Sequence, residues 1–376
     1  MKRMNVDGLF GFALPSIFFT FLLLCAPLHA SAENEAESTL VDVLDAPAKQ
    51  NKTSVNTLQL GLARAGSKLV SVGERGVILL SEDEGDSWTQ AKSVPVSVTL
   101  TAVSFSDPLN GWAAGHSGVI LATTDGGNTW QVQLDGYQAA QLAMAEAESL
   151  VAAGDERGER AKRNAGYLIK EGADKPILDI FFANQFDGWA IGAYGLAYAT
   201  NDGGDNWYSI IARLPNPAGK HLYKVVRSND ELIILGEQAA VFTSADDGDT
   251  FTKLDTPYYG SFFDGLLLDD GTRLLYGLRG NVWRQSKGKG RWKRVKLGSE
   301  VTLTSGLVGS DGQIMLADQS GQLFISADSA KNFSLMGQAP FGGITDIIQS
   351  QSGYAVATAR GSHPVSDDNL VSRGAR

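Results

Sequence analysis

A single phrase recurs along this chain: an apolar run, a G-x-x-G hairpin, a second apolar run, then S/T-x-D-x-G closed by Trp or Phe. It reads GERGVILLSEDEGDSW at Gly73–Trp88, GHSGVILATTDGGNTW at Gly115–Trp130, GAYGLAYATNDGGDNW at Gly192–Trp207 and GEQAAVFTSADDGDTF at Gly236–Phe251. Worn copies follow at Gly277–Trp292 and Asp318–Phe333, and a fragment, TARG, ends at Gly361. The copies start 42, 77, 44, 41 and 41 residues apart. A period of about 40 residues is that of a four-stranded propeller blade.

Each unit divides into four short strand-like runs bounded by Gly, Asp or Asn. In the second unit these are Thr99–Ser106, Gly111–Gly115, Gly118–Thr124 and Thr129–Leu134. After the sixth turn there remain a first strand (Ile344–Gln349), a second (Gly353–Thr358) and a third (Gly361–Ser366) that contains Pro364, but no fourth. The run Thr39–Leu44 has no unit of its own, so it is expected to supply the missing outer strand. The predicted fold is all-β: a seven-bladed β-propeller of four-stranded antiparallel blades over 38–366, closed by an N-terminal strand, with a tail at 367–376. The 77-residue gap holds an insertion, 137–173, rich in Ala, Glu, Arg and Lys, whose Gln138–Ala153 and Glu156–Lys170 read as a helical hairpin.

Residues 1–32 carry Lys2 and Arg3, an apolar run from Leu9 to Cys25 and Ala30-Ser31-Ala32, the layout of a cleavable secretory signal. Export is therefore expected, to a periplasm or, in a photosynthetic source, a thylakoid lumen. The lone cysteine, Cys25, would leave with the signal, so stability has to come from packing. A net charge of −10 argues against nucleic acid as a partner.

Chemistry is sparse. His29, His116, His221 and His363 lack metal-ligand spacing, and no nucleophile motif is present, so no catalytic residue, metal or cofactor is expected. Asp83, Asp125, Asp202, Asp246 and Asp328 hold one position in five turns, where a carboxylate braces its own backbone amides. Lys287 breaks that rule in the fifth copy. Around it Arg273, Arg279, Arg284, Lys287, Lys289, Arg291, Lys293, Arg294 and Lys296 occur without an acid between Arg273 and Lys296, a patch that reads as a solvated outer strand or as a dock for an acidic partner or lipid headgroups. Topology puts the G-x-x-G tips on one face with the insertion, and the Asp turns on the other. Arg75, His116, Tyr194, Glu237, Arg279, Gln319 and Arg360 stand at those tips around the central channel and are the candidate partner-binding residues.

The Asp turn is similar to the Asp-box of neuraminidase-type repeats, which raises a sialidase-like secreted glycosidase as an alternative, with Arg75, Arg279 and Arg360 as a carboxylate clamp. The G-W-A-x-G second strand (Gly111–Gly115, and Gly188–Gly192 with Ile in place of the variable residue), the G-x-x-G hairpin and T-x-D-G-G-x-x-W together resemble more closely the photosystem II assembly and stability factor family. That resemblance spans about Thr39 to Ser366. It implies a non-enzymatic, monomeric seven-bladed propeller that binds a membrane-protein complex or its assembly intermediate, and in non-photosynthetic bacteria an accessory to an envelope complex such as an RND-type exporter.

Overall fold

Seven antiparallel sheets follow one another along the chain in the computed structural model, which describes residues 41–370 apart from 229, 230, 289, 352, 367 and 369. Six sheets have four strands and the seventh has three. Blade 2, for example, is Leu100–Phe105, Gly111–Gly115, Ile120–Thr123 and Gln131–Leu134, paired in sequence order. The first strands run alongside the central channel, beginning with Gln59–Ala65 in blade 1 and ending with Ile344–Ser350 in blade 7. The second strands carry the deepest burial: Gly111–Gly115, Gly188–Gly192 and Leu232–Gly236 are buried at every position.

Among the described residues six apolar clusters hold the ring, and each spans two neighbouring blades. Between blades 2 and 3, Trp112 stacks on Phe182 with ring centroids 3.5 Å apart, and Trp207 meets Phe182 edge-on. Side chains also bond across the seam between blades 7 and 1. There Thr345 Oγ1 donates to Gln59 O (2.7 Å), Leu62 N to Asp346 Oδ2 (2.7 Å), Arg64 Nη2 to Gln349 O (2.8 Å), and the hydroxyls of Ser71 and Ser362 share a hydrogen bond (2.8 Å).

This seam corrects the expected N-terminal closing strand. Blade 7 consists of Ile344–Ser350, Gly353–Thr358 and Gly361–Val365 and gains no fourth strand among the described residues. Val41–Leu44 forms no strand, and Thr39 and Leu40 lie outside the described residues. The segment instead lies along the connection between blades 1 and 2, where Ser97 N donates to Val43 O (2.9 Å) and Ala48 N to Val94 O (3.0 Å). Pro364 is tolerated because its strand is the outer edge of blade 7, where a missing N–H interrupts no ladder. Leu370 packs beside the cluster between blades 6 and 7. The proposed signal, 1–32, lies outside the described residues.

The insertion forms α1 (Gly136–Ala152) and α2 (Gly158–Glu171). A capping box opens α1: Asp135 Oδ1 accepts from Gln138 N at 2.9 Å while the Gln138 side chain accepts from Asp135 N at 3.2 Å. The hairpin begins beside the tip of blade 2 but does not lie across that face. It flanks the rim of blade 3, whose outer strand, Tyr208–Ser209, is only two residues long. Tyr198 Oη donates to Ala139 O (3.1 Å), and Glu146 Oε2 accepts from Ser209 Oγ (2.5 Å) and Ala212 N (3.3 Å). Helix α1 thus covers a short sheet edge that would otherwise meet solvent.

Candidate functional site

The G-x-x-G tips are built alike. In blades 1 to 6 the residue after the second strand donates its N–H to a carbonyl at the start of the same blade's first strand: Glu74 to Leu58, His116 to Thr99, Ala193 to Pro176, Glu237 to His221, Leu278 to Ser261 and Gln319 to Thr302, at 2.8–3.2 Å. At Gly115 a Cβ would run into Thr99 O, so that approach requires glycine. The next turn forces Arg75, Ser117, Tyr194 and Arg279 into the left-handed region, with φ of 56°, 58°, 56° and 57°. Non-glycine residues pay about 1 kcal/mol for that conformation. Their side chains are thereby aimed away from the blade. Arg75, His116, Tyr194, Arg279, Gln319 and Arg360 are exposed, whereas Glu237 is half-buried and accepts from His221 N (3.0 Å).

Arg75, Arg279 and Arg360 occupy blades 1, 5 and 7, so they share one arc of this face. None makes an ion pair among the described residues. On the opposite arc Tyr194 is 60% exposed, its N–H donates to His221 Nδ1 (3.0 Å), its ring meets His221 edge-on, and Lys175 lies 4.9 Å over it.

The five repeated aspartates sit at separate corners and do not converge. Each accepts through Oδ1 from the hydroxyl two residues before and from the backbone N–H four residues after; for Asp202 these are Thr200 Oγ1 (2.8 Å) and Asn206 N (2.9 Å), with Asn206 Nδ2 on Oδ2 (2.8 Å). Asp83, Asp125, Asp246 and Asp328 repeat the pattern. These donors hold Asp83, Asp246 and Asp328 down at about 2. A permanently ionised, internally saturated carboxylate is a brace and a poor proton carrier.

The basic stretch is not one surface. Arg284 is buried, with Nε donating to Ser329 O (2.7 Å), Nη1 to Ser286 Oγ (2.7 Å) and Nη2 to Thr272 Oγ1 (3.2 Å), and so ties blade 5 to the turn of blade 6. Arg273 is paired with Glu231 (2.6 Å). Lys287, Arg291, Lys293, Arg294 and Lys296 are exposed, and Lys289 lies outside the described residues. Lys293 and Arg294 stand on the outer strand Lys293–Val295, where charge discourages pairing with another chain.

One further group of residues is brought together by a feature that the repeated phrase does not contain. The first strand of every blade is irregular at one equivalent step, as between Leu222 and Lys224 or Phe262 and Asp264. The residues just past that irregularity are Gly61, Ala102, Asp179, Lys224, Asp264, Ser305 and Asp346, a ring lining a channel of about 430 Å³. Asp179 Oδ1 accepts from Lys224 Nζ (3.3 Å) and Oδ2 from Val225 N (2.8 Å); Asp264 accepts from Tyr276 Oη (2.7 Å) and Gly265 N (2.7 Å); Ser305 Oγ donates to Asp346 Oδ1 (2.6 Å). Burial pushes Asp264 up to about 6 and raises Asp179, with Lys224 pulling the other way in both. Burial works against the Lys224 charge too, but the surrounding carboxylates outweigh it and its pKa rises. Charged residues at the third position of largely apolar first strands (ILDIFF, LYKVVR, FFDGLL, ITDIIQS) are the sequence signal for this ring. Among the described residues no group of three or more His, Cys, Asp or Glu is placed to hold a metal.

The family model described as photosynthesis system II assembly factor YCF48 matches residues 160–258. The photosystem II stability/assembly factor HCF136, chloroplastic, of Cyanidioschyzon merolae is 30% identical over 106 residues, a match spanning 28% of this chain and 23% of that protein. Among solved structures, YCF48 bound to D1 peptide superposes with a TM-score of 0.60 at 16% identity over 84% of this chain and 94% of that one. YCF48 from Cyanidioschyzon merolae gives 0.57 at 14% identity over 84% and 97%. A GH74 xyloglucanase from Xanthomonas campestris also gives 0.57, at 12% identity, over 84% of this chain and 52% of that one. At these identities the superpositions speak for the fold alone.

Proposed function

We propose that this propeller, whose repeats, family match and ring architecture all point to the photosystem II assembly factor-like family, is an exported, non-catalytic protein that holds a segment of a membrane-protein partner across its hairpin face. The observation that carries this reading is the construction of the tips. Backbone hydrogen bonds lock each tip against its own blade, and the left-handed turn spends conformational energy to present Arg75, Tyr194 and Arg279 outward. A rigid scaffold with outward side chains at its loops is an arrangement suited to recognition.

The three unpaired arginines select the partner's chemistry. Guanidinium groups form bidentate bonds with carboxylates, so the bound segment is one carrying acidic side chains or a free C-terminus over the arc of blades 5, 7 and 1. The solved neighbour bound to a D1 peptide supports a peptide ligand for this fold. The client is an assembly intermediate of photosystem II or of another envelope complex such as an exporter; residues 1–32 serve as the signal, 38–366 as the propeller, and the protein acts as a monomer in the periplasm or lumen.

The test is cross-linking of the purified protein to solubilised envelope or thylakoid membranes, followed by mass spectrometry, with Arg75→Glu, Arg279→Glu and Arg360→Glu combined. Recovery of one membrane protein, reduced at least about tenfold in the triple variant, is expected. Undiminished recovery removes the arginine arc from the reading, and turnover of a sialoside or xyloglucan by the purified protein refutes the non-catalytic assignment.

A further inference from the structure

We infer that the outward face of α2 is a docking surface for the anionic headgroups of a membrane. Helix α2 turns Ala165 and Leu168 inward, the first buried and the second packed against the cluster between blades 2 and 3. Its outer surface carries Arg160, Lys162, Arg163 and Lys170, all exposed and none in an ion pair among the described residues. Glu171 is already paired with Lys175 at 2.8 Å, which leaves Glu159 within the helix and the exposed Glu156 in the turn before it against four cations. In a chain of net charge −10 this is a local reversal of sign, carried by one helix of 14 residues.

The neighbours of these cations favour lipid over an acidic protein. Tyr167 is 61% exposed and Ile169 40% on the same helix, and Tyr137 at the start of α1 is 55% exposed. Tyrosine at the edge of a cationic stripe matches the headgroup layer, where an apolar ring and a polar tip are both satisfied. Clustered Lys and Arg supply the attraction to anionic lipid, and it decays within a Debye length. Among the described residues no helix is long and apolar enough to cross a bilayer. Tyr167 and Leu168 also border the groove beside Tyr194, so α2 adjoins the hairpin face at blade 3. The outer strand of blade 5 is the natural control, because its Lys293 and Arg294 are cationic in the role of edge guards.

The test is co-sedimentation of the purified protein with extruded vesicles of phosphatidylcholine alone or of phosphatidylcholine and phosphatidylglycerol at 7:3. These vesicles hold no protein, so the result is independent of the hairpin-face reading, and the α2 triple variant, which keeps Lys2, Arg3 and the apolar run at 9–25, controls for their contribution. Partition at least about tenfold stronger onto the anionic vesicles at low salt, abolished in 0.5 M NaCl, is expected. Combining Arg160→Glu, Arg163→Glu and Lys170→Glu should erase the preference with the melting temperature unchanged, Tyr167→Ser should weaken it about two- to fivefold, and Lys293→Glu with Arg294→Glu should leave it intact. The inference is overturned by equal binding to both vesicles, by a preference that survives the α2 triple variant, or by one that follows Lys293 and Arg294 instead.

Discussion

Removing a charge from the channel ring is predicted to make the protein more stable. Asp264 is 5% exposed and burial lifts it from 3.8 to about 6. A carboxyl group that binds its proton more tightly in the folded chain than in the unfolded chain favours folding as pH falls. Below about pH 4 both states are protonated and no differential remains relative to a neutral side chain; between about 4 and 6 the folded chain keeps a proton that the unfolded chain has lost; above 6 the full cost of the buried charge is present. The gap from 3.8 to about 6 corresponds to about 3 kcal/mol at neutral pH. Asp264→Asn keeps an acceptor for Gly265 N and an N–H for the Tyr276 oxygen, and forfeits about 1 kcal/mol of charge-assisted bonding. The variant should therefore gain about 2 kcal/mol at pH 7.5 and match the parent to within about 1 kcal/mol at pH 4.5, where the same two pKa values leave a differential of only about 1 kcal/mol. Urea unfolding followed by tryptophan fluorescence at matched pH values measures the difference. A parent-to-variant difference that stays constant from pH 4.5 to 7.5 would refute the reasoning, as would a variant less stable by more than about 1 kcal/mol at pH 7.5.

Other perturbations probe the same framework. Lys224→Met removes the cation among three carboxylates; because 37% of its side chain is accessible to channel water, the loss is discounted to about 1–3 kcal/mol at pH 7.5. That loss should shrink at pH 5 as Asp264 gains its proton, and the same urea series reads it. Trp112→Ala deletes a buried ring stacked on Phe182 and the bond from its Nε1 to Gly203 O (3.0 Å), and should cost about 3–5 kcal/mol by calorimetry or urea. Thr123→Val empties one Asp turn of the hydroxyl that donates to Asp125 Oδ1 (2.8 Å) and accepts from Gly127 N (3.1 Å); a loss of about 1–2 kcal/mol in the same assay is expected.

What was legible in the chain follows how far apart the interacting residues are. The Asp turns could be read because every partner of Asp202 lies within four residues of it, so the whole interaction is written in one short word. The tips could be read for the same reason, and the period of their recurrence supplied the blades. The channel ring left only a trace, a charged residue at the third position of four first strands. Its bonds join residues far apart, as Asp179 with Val225 across 46 positions, Thr101 with Ile177 across 76 and Leu62 with Asp346 across 284. Only four of the seven blades contribute a charge to it, and the meaning of each comes from the blade beside it. Arg284 shows the converse: its membership in a basic run says surface, yet Ser329 in the next blade offers a carbonyl that draws it inside.

The expected closing strand rested on counting strands, and the ring shows why the count was insufficient. A shared strand is needed only if backbone pairing must join the ends of the chain. Here the first strands carry side chains that bond across blade boundaries at several seams: Thr101 Oγ1 donates to Ile177 O (2.7 Å) between blades 2 and 3, Thr304 Oγ1 to Ile344 O (2.7 Å) between blades 6 and 7, and Thr345 Oγ1 to Gln59 O (2.7 Å) between blades 7 and 1. The last seam thus uses a device already repeated elsewhere, reinforced by Arg64, whose paired bonds to Glu84 (3.0 and 2.8 Å) hold it against Gln349 O, and by Gln351 N on Glu84 Oε2 (3.2 Å). Polar bonds contribute less net stability than apolar burial, so this boundary should open before the six clustered ones. Native-state hydrogen exchange should then show Gln59–Ala65 and Ile344–Ser350 exchanging faster than Leu222–Arg227, and Thr345→Val should widen that gap by about fivefold. Equal protection of the three strands would mean that the two ends of the chain are joined as firmly as any other pair of blades.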